Sequence, residues 1–246
     1  MDKEFLTNLS YSTFLSFTLR QSTGSGFRII YKERTFLVTA KHVLYEENDN
    51  LRGDELLVTS QNSKTIPEEA QTILIKLNQA RIFKSSVYDI ATIEIEEGEH
   101  TTVQQAGNNI ISIPAEASRQ LNDIVVSNDV FLVGFPTSLI VPGVKNFEVN
   151  RPLLRKGIIA GVNLQENSFI KDCSSYYGNS GAPIIELGED SILRLIGIVI
   201  RYIPFVTEWR NNREPSISHP EFANSGYSVC LPIDIIVEFL DNCINS

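Results

Sequence analysis

Tyr177-Gly178-Asn179-Ser180-Gly181-Ala182-Pro183 sets one serine between two glycines, with a proline just beyond and an apolar run from Ile184 after it. Gly178 and Gly181 strip side chains from backbone that must be approached closely or must take positive φ. A tight turn of this kind holds one hydroxyl in a fixed place. If that hydroxyl is a nucleophile, the same turn can aim the backbone N–H groups of Gly178 and Ser180 at a developing oxyanion. Gly-Asn-Ser-Gly is also an ordinary surface-turn composition. The rest of the chain has to decide between the two readings.

Two other stretches favour chemistry. His42 follows Leu37-Val38-Thr39-Ala40-Lys41, and Asp89 opens Asp89-Ile90-Ala91-Thr92-Ile93. A serine hydroxyl is a poor nucleophile until an adjacent base takes its proton. Histidine suits that task because its ordinary pKa lies near neutrality. Asp89 stands among apolar neighbours, where a carboxylate is costly unless a donor satisfies it, and a histidine N–H is such a donor. His100 and His219 lie in polar stretches without comparable surroundings.

With these motifs in the order His, Asp, Ser, the chain resembles the chymotrypsin-like (trypsin-like) serine peptidases, and more narrowly their bacterial high-temperature-requirement relatives. Thr39-Ala40-Lys41-His42 matches the family's histidine motif. Asp89-Ile90-Ala91-Thr92-Ile93 matches its aspartate motif, and Gly178-Asn179-Ser180-Gly181-Ala182-Pro183 its serine motif. Thr23-Gly24-Ser25-Gly26-Phe27 and Val133-Gly134-Phe135-Pro136 are softer matches. The resemblance implies a triad of His42, Asp89 and Ser180, with oxyanion donors at Gly178 and Ser180. It implies a substrate pocket involving Ser174, Ile200, Arg201, Tyr202 and Gly226. Ser174 carries no charge, so a small or medium apolar residue on the acyl side of the scissile bond is expected. Asn179 replaces the aspartate of relatives activated by N-terminal cleavage, and no Ile-Val-Gly-Gly start is present, so that mode of activation is not expected. Lys41 and Ala182 depart from the family's small residues without removing a catalytic atom.

The implied fold is all-β: two six-stranded antiparallel β-barrels packed together, with a C-terminal helix. Its expected parts are an N-terminal barrel over 10–97, a linker over 98–125, a second barrel over 126–232 and a helix over 233–243. Read from the residues, Ser12–Arg20, Phe27–Tyr31, Thr35–Thr39, Leu56–Thr59, Thr72–Leu77 and Ile90–Ile95 are short β-branched strand candidates, and Ile82–Tyr88 can add another. Ala40–Leu44 reads as one helical turn. Glu96–Asp123 reads as the inter-barrel linker, with a short strand at Ile110–Ile113. Val130–Val133, Leu153–Asn163, Ser168–Lys171, Ala182–Leu187, Leu193–Ile200 and Gly226–Leu231 supply the second half, and Val206–Ala223 reads as an exposed loop. Ile233, Ile236, Val237 and Leu240 form a helical stripe, with Pro232 at the first turn.

The 246 residues are 42% hydrophobic, enough for a sizeable core. A net charge of −9 without any dense Lys/Arg run argues against nucleic acid and anionic membranes as partners. Cys173, Cys230 and Cys243 are too few for a disulfide framework, lack metal-ligand spacing and suit a reducing compartment. Met1–Phe5 does not read as a signal peptide, and no run approaches the roughly 20 apolar residues of a membrane span. A soluble, cytoplasmic protein without metal or cofactor is the expectation. Its partner would be a polypeptide substrate, with control by loops, self-association or a regulatory protein, because the chain ends without the peptide-binding domains of many bacterial relatives. Two other functions fit the same fold. One is an esterase using the same triad. The other is a protein-binding module without turnover, against which all three retained residues argue. The missing Gly-x-Ser-x-Gly elbow and the order of the triad argue against an α/β-hydrolase.

Overall fold

The computed structural model describes residues 3–19, 22–64, 69–95, 100–107, 110–140, 147–210 and 218–245. Two antiparallel sheets dominate it. The first holds β1 (Ser12–Phe17), β2 (Thr23–Tyr31), β3 (Arg34–Thr39), β4 (Glu55–Ser60), β5 (Gln71–Lys76), β6 (Ile82–Lys84), β7 (Ala91–Glu94) and β8 (Thr101–Gln105). Their order is β6-β7-β3-β2-β1-β4-β5-β8, and β9 (Ile113–Pro114) lies parallel beside β2. The second sheet closes on itself. There β10 (Asp129–Gly134), β11 (Leu153–Asn163), β12 (Ser168–Asp172), β13 (Pro183–Leu187), β14 (Leu193–Arg210) and β15 (Ser218–Pro232) follow the order β10-β11-β12-β15-β14-β13. The helices are α1 (Lys3–Asn8), α2 (Lys41–Leu44) and α3 (Ile233–Asn245).

Each half buries one face of its strands. Leu15, Leu37, Leu56, Ile75 and Ile93 fill the first, while Val130, Leu132, Phe169, Ile184 and Ile196 fill the second. A third cluster joins them: Phe27, Ile29 and Phe36 meet Val133, Ile185, Leu195 and Ile198, with Ile236 and Leu240 of α3 against the same cluster. Burying each such side chain is worth about 1.5–3 kcal/mol, so this middle cluster fixes how the two halves face one another. Ile233, Ile236 and Leu240 form the buried stripe of α3, as their spacing predicts. Pro232 closes β15, pairing with Gly197, and the helix begins at Ile233, where the sequence places it.

The described residues differ from the sequence reading in four places. Val206–Ala223 is not a loop over its described residues. β14 and β15 remain paired out to Arg210↔Ser218, with Val206 opposite Phe222 and Trp209 opposite His219; residues 211–217 of the stretch lie outside the described residues. This ribbon is exposed on both faces, so it lacks the apolar alternation by which a strand is read, and its charges resemble those of a loop. Cross-strand contacts such as the hydrogen bond from Trp209 Nε1 to Glu221 Oε2 hold it.

Next, the segment read as linker contributes β8, paired with β5, and β9, so the first sheet has more strands than six; residues 96–99 and 108–109 of that segment lie outside the described residues. The polar face of β8 hid it, since Val103 and its neighbours are largely exposed. Finally, the run read as Ser12–Arg20 ends as a strand at Phe17, and Arg20 lies outside the described residues. α1 was not foreseen: Phe5 stacks on Tyr11 with centroids 4.3 Å apart and covers one end of the core.

Candidate active site

Strand register delivers the first two residues. Thr39, the last residue of β3, pairs with Ala91, the first of β7. The chain just beyond β3 and the chain just before β7 therefore end side by side. His42 stands in α2, whose first turn follows the extended Ala40, and Asp89 sits opposite it. Asp89 Oδ2 lies 2.6 Å from His42 Nδ1, and Asp89 Oδ1 accepts the backbone N–H of His42 at 3.0 Å. One carboxylate thus grips both ring and main chain. Burial works to raise the Asp89 pKa, but the hydrogen bonds and charge of His42 outweigh it, and the carboxyl is held below its ordinary value. With Nδ1–H donated to Asp89, the imidazole presents Nε2 to the cleft.

Ser180 is placed by contacts across the two halves. Gly178 and Gly181 take φ of +97° and +83°; a Cβ on Gly178 would sit 2.2 Å from the Phe135 carbonyl oxygen, and one on Gly181 would sit 2.3 Å from that of Ser25. Only glycine fits either place. The turn is laced by Asn179 N–H to Tyr176 O at 2.9 Å, Gly181 N–H to Val199 O at 2.8 Å and Ala182 N–H to Asn179 O at 2.9 Å. The N–H groups of Gly178 and Ser180 have no acceptor among the described residues, which leaves both available to a ligand. No hydrogen bond joins Ser180 Oγ to His42 within 3.5 Å; such contacts are commonly long before substrate arrives.

Ser25 ties the two softer motifs to this turn. Its N–H donates to Ser180 O at 3.0 Å, its hydroxyl donates to Gly178 O at 2.6 Å, and the same hydroxyl accepts the Phe135 N–H at 3.0 Å. Thr39 Oγ1 donates to Ser25 O at 2.7 Å. Gly134 is forced to be small here, since a Cβ would meet that of Ala182 at 2.9 Å. The sequence reading took these motifs only as softer family matches and gave Ser25 no role; its signal was a serine between two glycines, the same composition as the turn at Ser180.

His42 and Ser180 stand together in two clefts, each of about 320 Å³. The first adds Asp89, Ser175, Tyr176, Tyr177 and Val199–Tyr202. The second is lined by Ser22, Thr23, Val43, Arg52, Thr137 and Gly178 beside the same pair. A peptide crossing Ser180 would place one side of its scissile bond in each. Of the expected pocket residues, Ile200, Arg201 and Tyr202 line the first cleft. Ser174 and Gly226 adjoin one another behind it: a Cβ on Gly226 would lie 3.9 Å from Ser174 Oγ, and Ser174 O accepts from Arg155 at 3.2 Å. Ser175, Tyr176 and Tyr177, which the sequence reading passed over, line the first cleft as well. Lys41 reaches Ser85 O at 3.4 Å and Asp49 at 3.7 Å, so it leaves the cleft open. Among the described residues no cluster of His, Cys, Asp and Glu could hold a metal ion, and no helix is long and apolar enough to cross a membrane.

A closed barrel packed against a second antiparallel sheet, with His, Asp and Ser meeting along their seam, defines a peptidase domain of the trypsin-like class. Residues 24–198 match the trypsin-like peptidase domain family, and the chain belongs to that family. Among solved structures it is similar to a serine endoprotease from Yersinia pestis at 16% identity and a TM-score of 0.59, covering 98% of this chain and 65% of that one. It is similar to the HtrA-type protease AlgW with a tripeptide, at 16% identity and 0.59, over 98% of this chain and 62% of that one. The protease Anisep from Arthrobacter nicotinovorans aligns over 98% of both chains at 12% identity and 0.58. The chain thus spans just under two thirds of the first two relatives' length. No curated protein sequence matches it.

Proposed function

We propose that this chain is a serine endopeptidase that cleaves peptide bonds through His42, Asp89 and Ser180 by way of an acyl-enzyme. Ser180 Oγ attacks the scissile carbonyl carbon while its proton passes to His42 Nε2. The carbonyl oxygen, now negative, is received by the free N–H groups of Gly178 and Ser180. Collapse of the tetrahedral intermediate breaks the C–N bond, and His42 returns the proton to the departing amine. A water molecule then repeats the sequence in reverse roles and releases the acid. Asp89 stays ionised throughout, holding the tautomer and stabilising the imidazolium.

The observation that carries this reading is the double grip of Asp89 on the ring and backbone of His42, in a cleft shared with Ser180. The strand Val199–Tyr202 along that cleft suits an extended polypeptide that pairs with it. The same acyl chemistry serves esters, and hydrolysis of activated esters is expected as a side activity. We also place the protein in a reducing, cytoplasmic setting, a reading supported by three cysteines that form no disulfide with one another. The test is labelling with a fluorophosphonate and mapping of the adduct. One adduct on Ser180, absent from Ser180→Ala and His42→Ala, is expected; a folded wild-type protein that takes no label would leave the fold as a binding scaffold.

A further inference from the structure

Behind the first cleft lies a lysine that the catalytic reading does not use. Lys171, on β12, is wholly buried. Its Nζ donates to the Cys173 carbonyl, to Ser175 Oγ at 2.8 Å and to Ser228 Oγ at 3.4 Å. All three acceptors are neutral, and among the described residues no carboxylate lies within 4.0 Å. A buried ammonium with hydrogen bonds but no counter-ion is an expensive arrangement. Burial accordingly pushes its pKa below the usual lysine range.

Ser175 connects that charge to the cleft. It is 3% exposed and lines the same space as Ser180 and His42. Its hydroxyl accepts from Lys171, its one side-chain partner among the described residues, and so keeps its own proton to donate. The surroundings add positive charge. Arg201 lines the cleft, and the Arg155 guanidinium stacks 4.9 Å from the Tyr176 ring centroid. Of the carboxylates near by, Asp89 is engaged by His42, and Asp172 is exposed beside Gly226. In a chain of net charge −9, Lys171, Arg155 and Arg201 thus gather on this side of the cleft.

We propose that the cleft beside Ser180 takes an acidic side chain, the glutamate or aspartate on the acyl side of the scissile bond, and that Lys171 recognises it through the Ser175 hydroxyl. The substrate carboxylate accepts the Ser175 proton while Ser175 accepts from Lys171, which gives the buried ammonium the counter-ion it lacks. This replaces the apolar preference expected from the uncharged Ser174. It rests on the serine-peptidase reading for the identity of the cleft.

The test reads binding, so that it stands apart from turnover. Acetylated tetrapeptides ending in glutamate, glutamine or leucine, otherwise identical, are titrated calorimetrically into the Ser180→Ala protein. The glutamate peptide is expected to bind about 10-fold or more tightly than the other two, the range of a charge-assisted hydrogen bond. Adding Lys171→Met or Ser175→Ala should erase the difference. Thermal unfolding checks each variant, and Ser175→Ala decides alone if the lysine change prevents folding. Equal binding of glutamate and glutamine overturns the proposal. So does a preference that survives Ser175→Ala, or one that only Arg201→Ala removes. Fluorophosphonate labelling of wild-type Ser180 reports separately on catalysis, so either reading can fail without the other.

Discussion

Ser25→Ala removes the hydroxyl that joins the two halves of the molecule at the nucleophile turn. Ser25 is fully buried, and its Oγ both donates to Gly178 O at 2.6 Å and accepts Phe135 N–H at 3.0 Å. The variant leaves a buried carbonyl and a buried N–H without that partner. Each unsatisfied group costs about 1–3 kcal/mol, and partial relaxation brings the expected loss of stability to about 2–4 kcal/mol. The Gly178 carbonyl also helps hold the turn, so its release should disturb the neighbouring N–H groups proposed to receive the oxyanion. A loss of only ~1.4 kcal/mol there is a tenfold fall in rate. The expected result is a kcat lowered about tenfold or more with KM nearly unchanged, and a matching slowing of fluorophosphonate labelling. Ser12→Ala is the control. Ser12 Oγ donates to Val133 O at 2.9 Å, so its loss costs stability but should leave the labelling rate alone. Urea unfolding and labelling kinetics measure both effects. A change below about 0.5 kcal/mol with an unaltered labelling rate would refute the bridging role of Ser25.

Asp89→Asn should lower kcat by roughly 10⁴-fold, as this change does in other Ser-His-Asp peptidases, by favouring the wrong histidine tautomer; steady-state kinetics on an ester substrate would show it. Because the Asp89 pKa is lowered on folding, its stabilising contribution is present above the ordinary carboxylate value near 3.9 and is lost as pH falls through the folded value, so acid unfolding curves of wild type and Asp89→Asn should converge at low pH. Gly178→Ala forces a Cβ to within 2.2 Å of the Phe135 carbonyl at φ +97° and should displace an oxyanion donor, with labelling slowed about 10²–10³-fold. Burial pushes the Cys230 thiol up to about 12, so the stability it contributes is complete below the unfolded thiol value near 8.5 and is lost as pH rises through about 12. Urea midpoints should fall across that window for wild type and remain flatter for Cys230→Ala.

Much of the site was legible because its parts are local. Gly178-Asn179-Ser180-Gly181 needs glycine at two positions of positive φ, and that demand shows in the residues themselves. Thr39-Ala40-Lys41-His42 and Asp89-Ile90-Ala91 are each a strand end carrying one functional side chain, so each can be read in place. The ribbon of β14 and β15 was not legible. Phe205, Val206, Trp209 and Phe222 are all exposed on it, and bulges at Val199/Arg201 and Tyr202/Pro204 interrupt the strand where a turn could equally stand. β8 escaped for a similar reason, having no buried face to betray its period.

The sequence by itself determined the glycine-bounded turn at Ser180, the candidate residues His42, Asp89 and Ser180, the β character of both halves and the stripe of the last helix. These follow from short-range rules: positive φ, alternation of side chains and helical spacing act over a few residues. Only the tertiary structure decided which groups stand behind the site. Ser25 reaches Gly178 and Phe135 because β2 packs against the second half, over sequence separations of 153 and 110 residues. Lys171 reads in sequence as an ordinary charge at the end of a strand. Pairing of β12 with β15 sets it opposite Ser228, and the chain's return through Ser175 closes over its ammonium. Its burial, and so its pull on a carboxylate in the cleft, arises from contacts that no local rule contains.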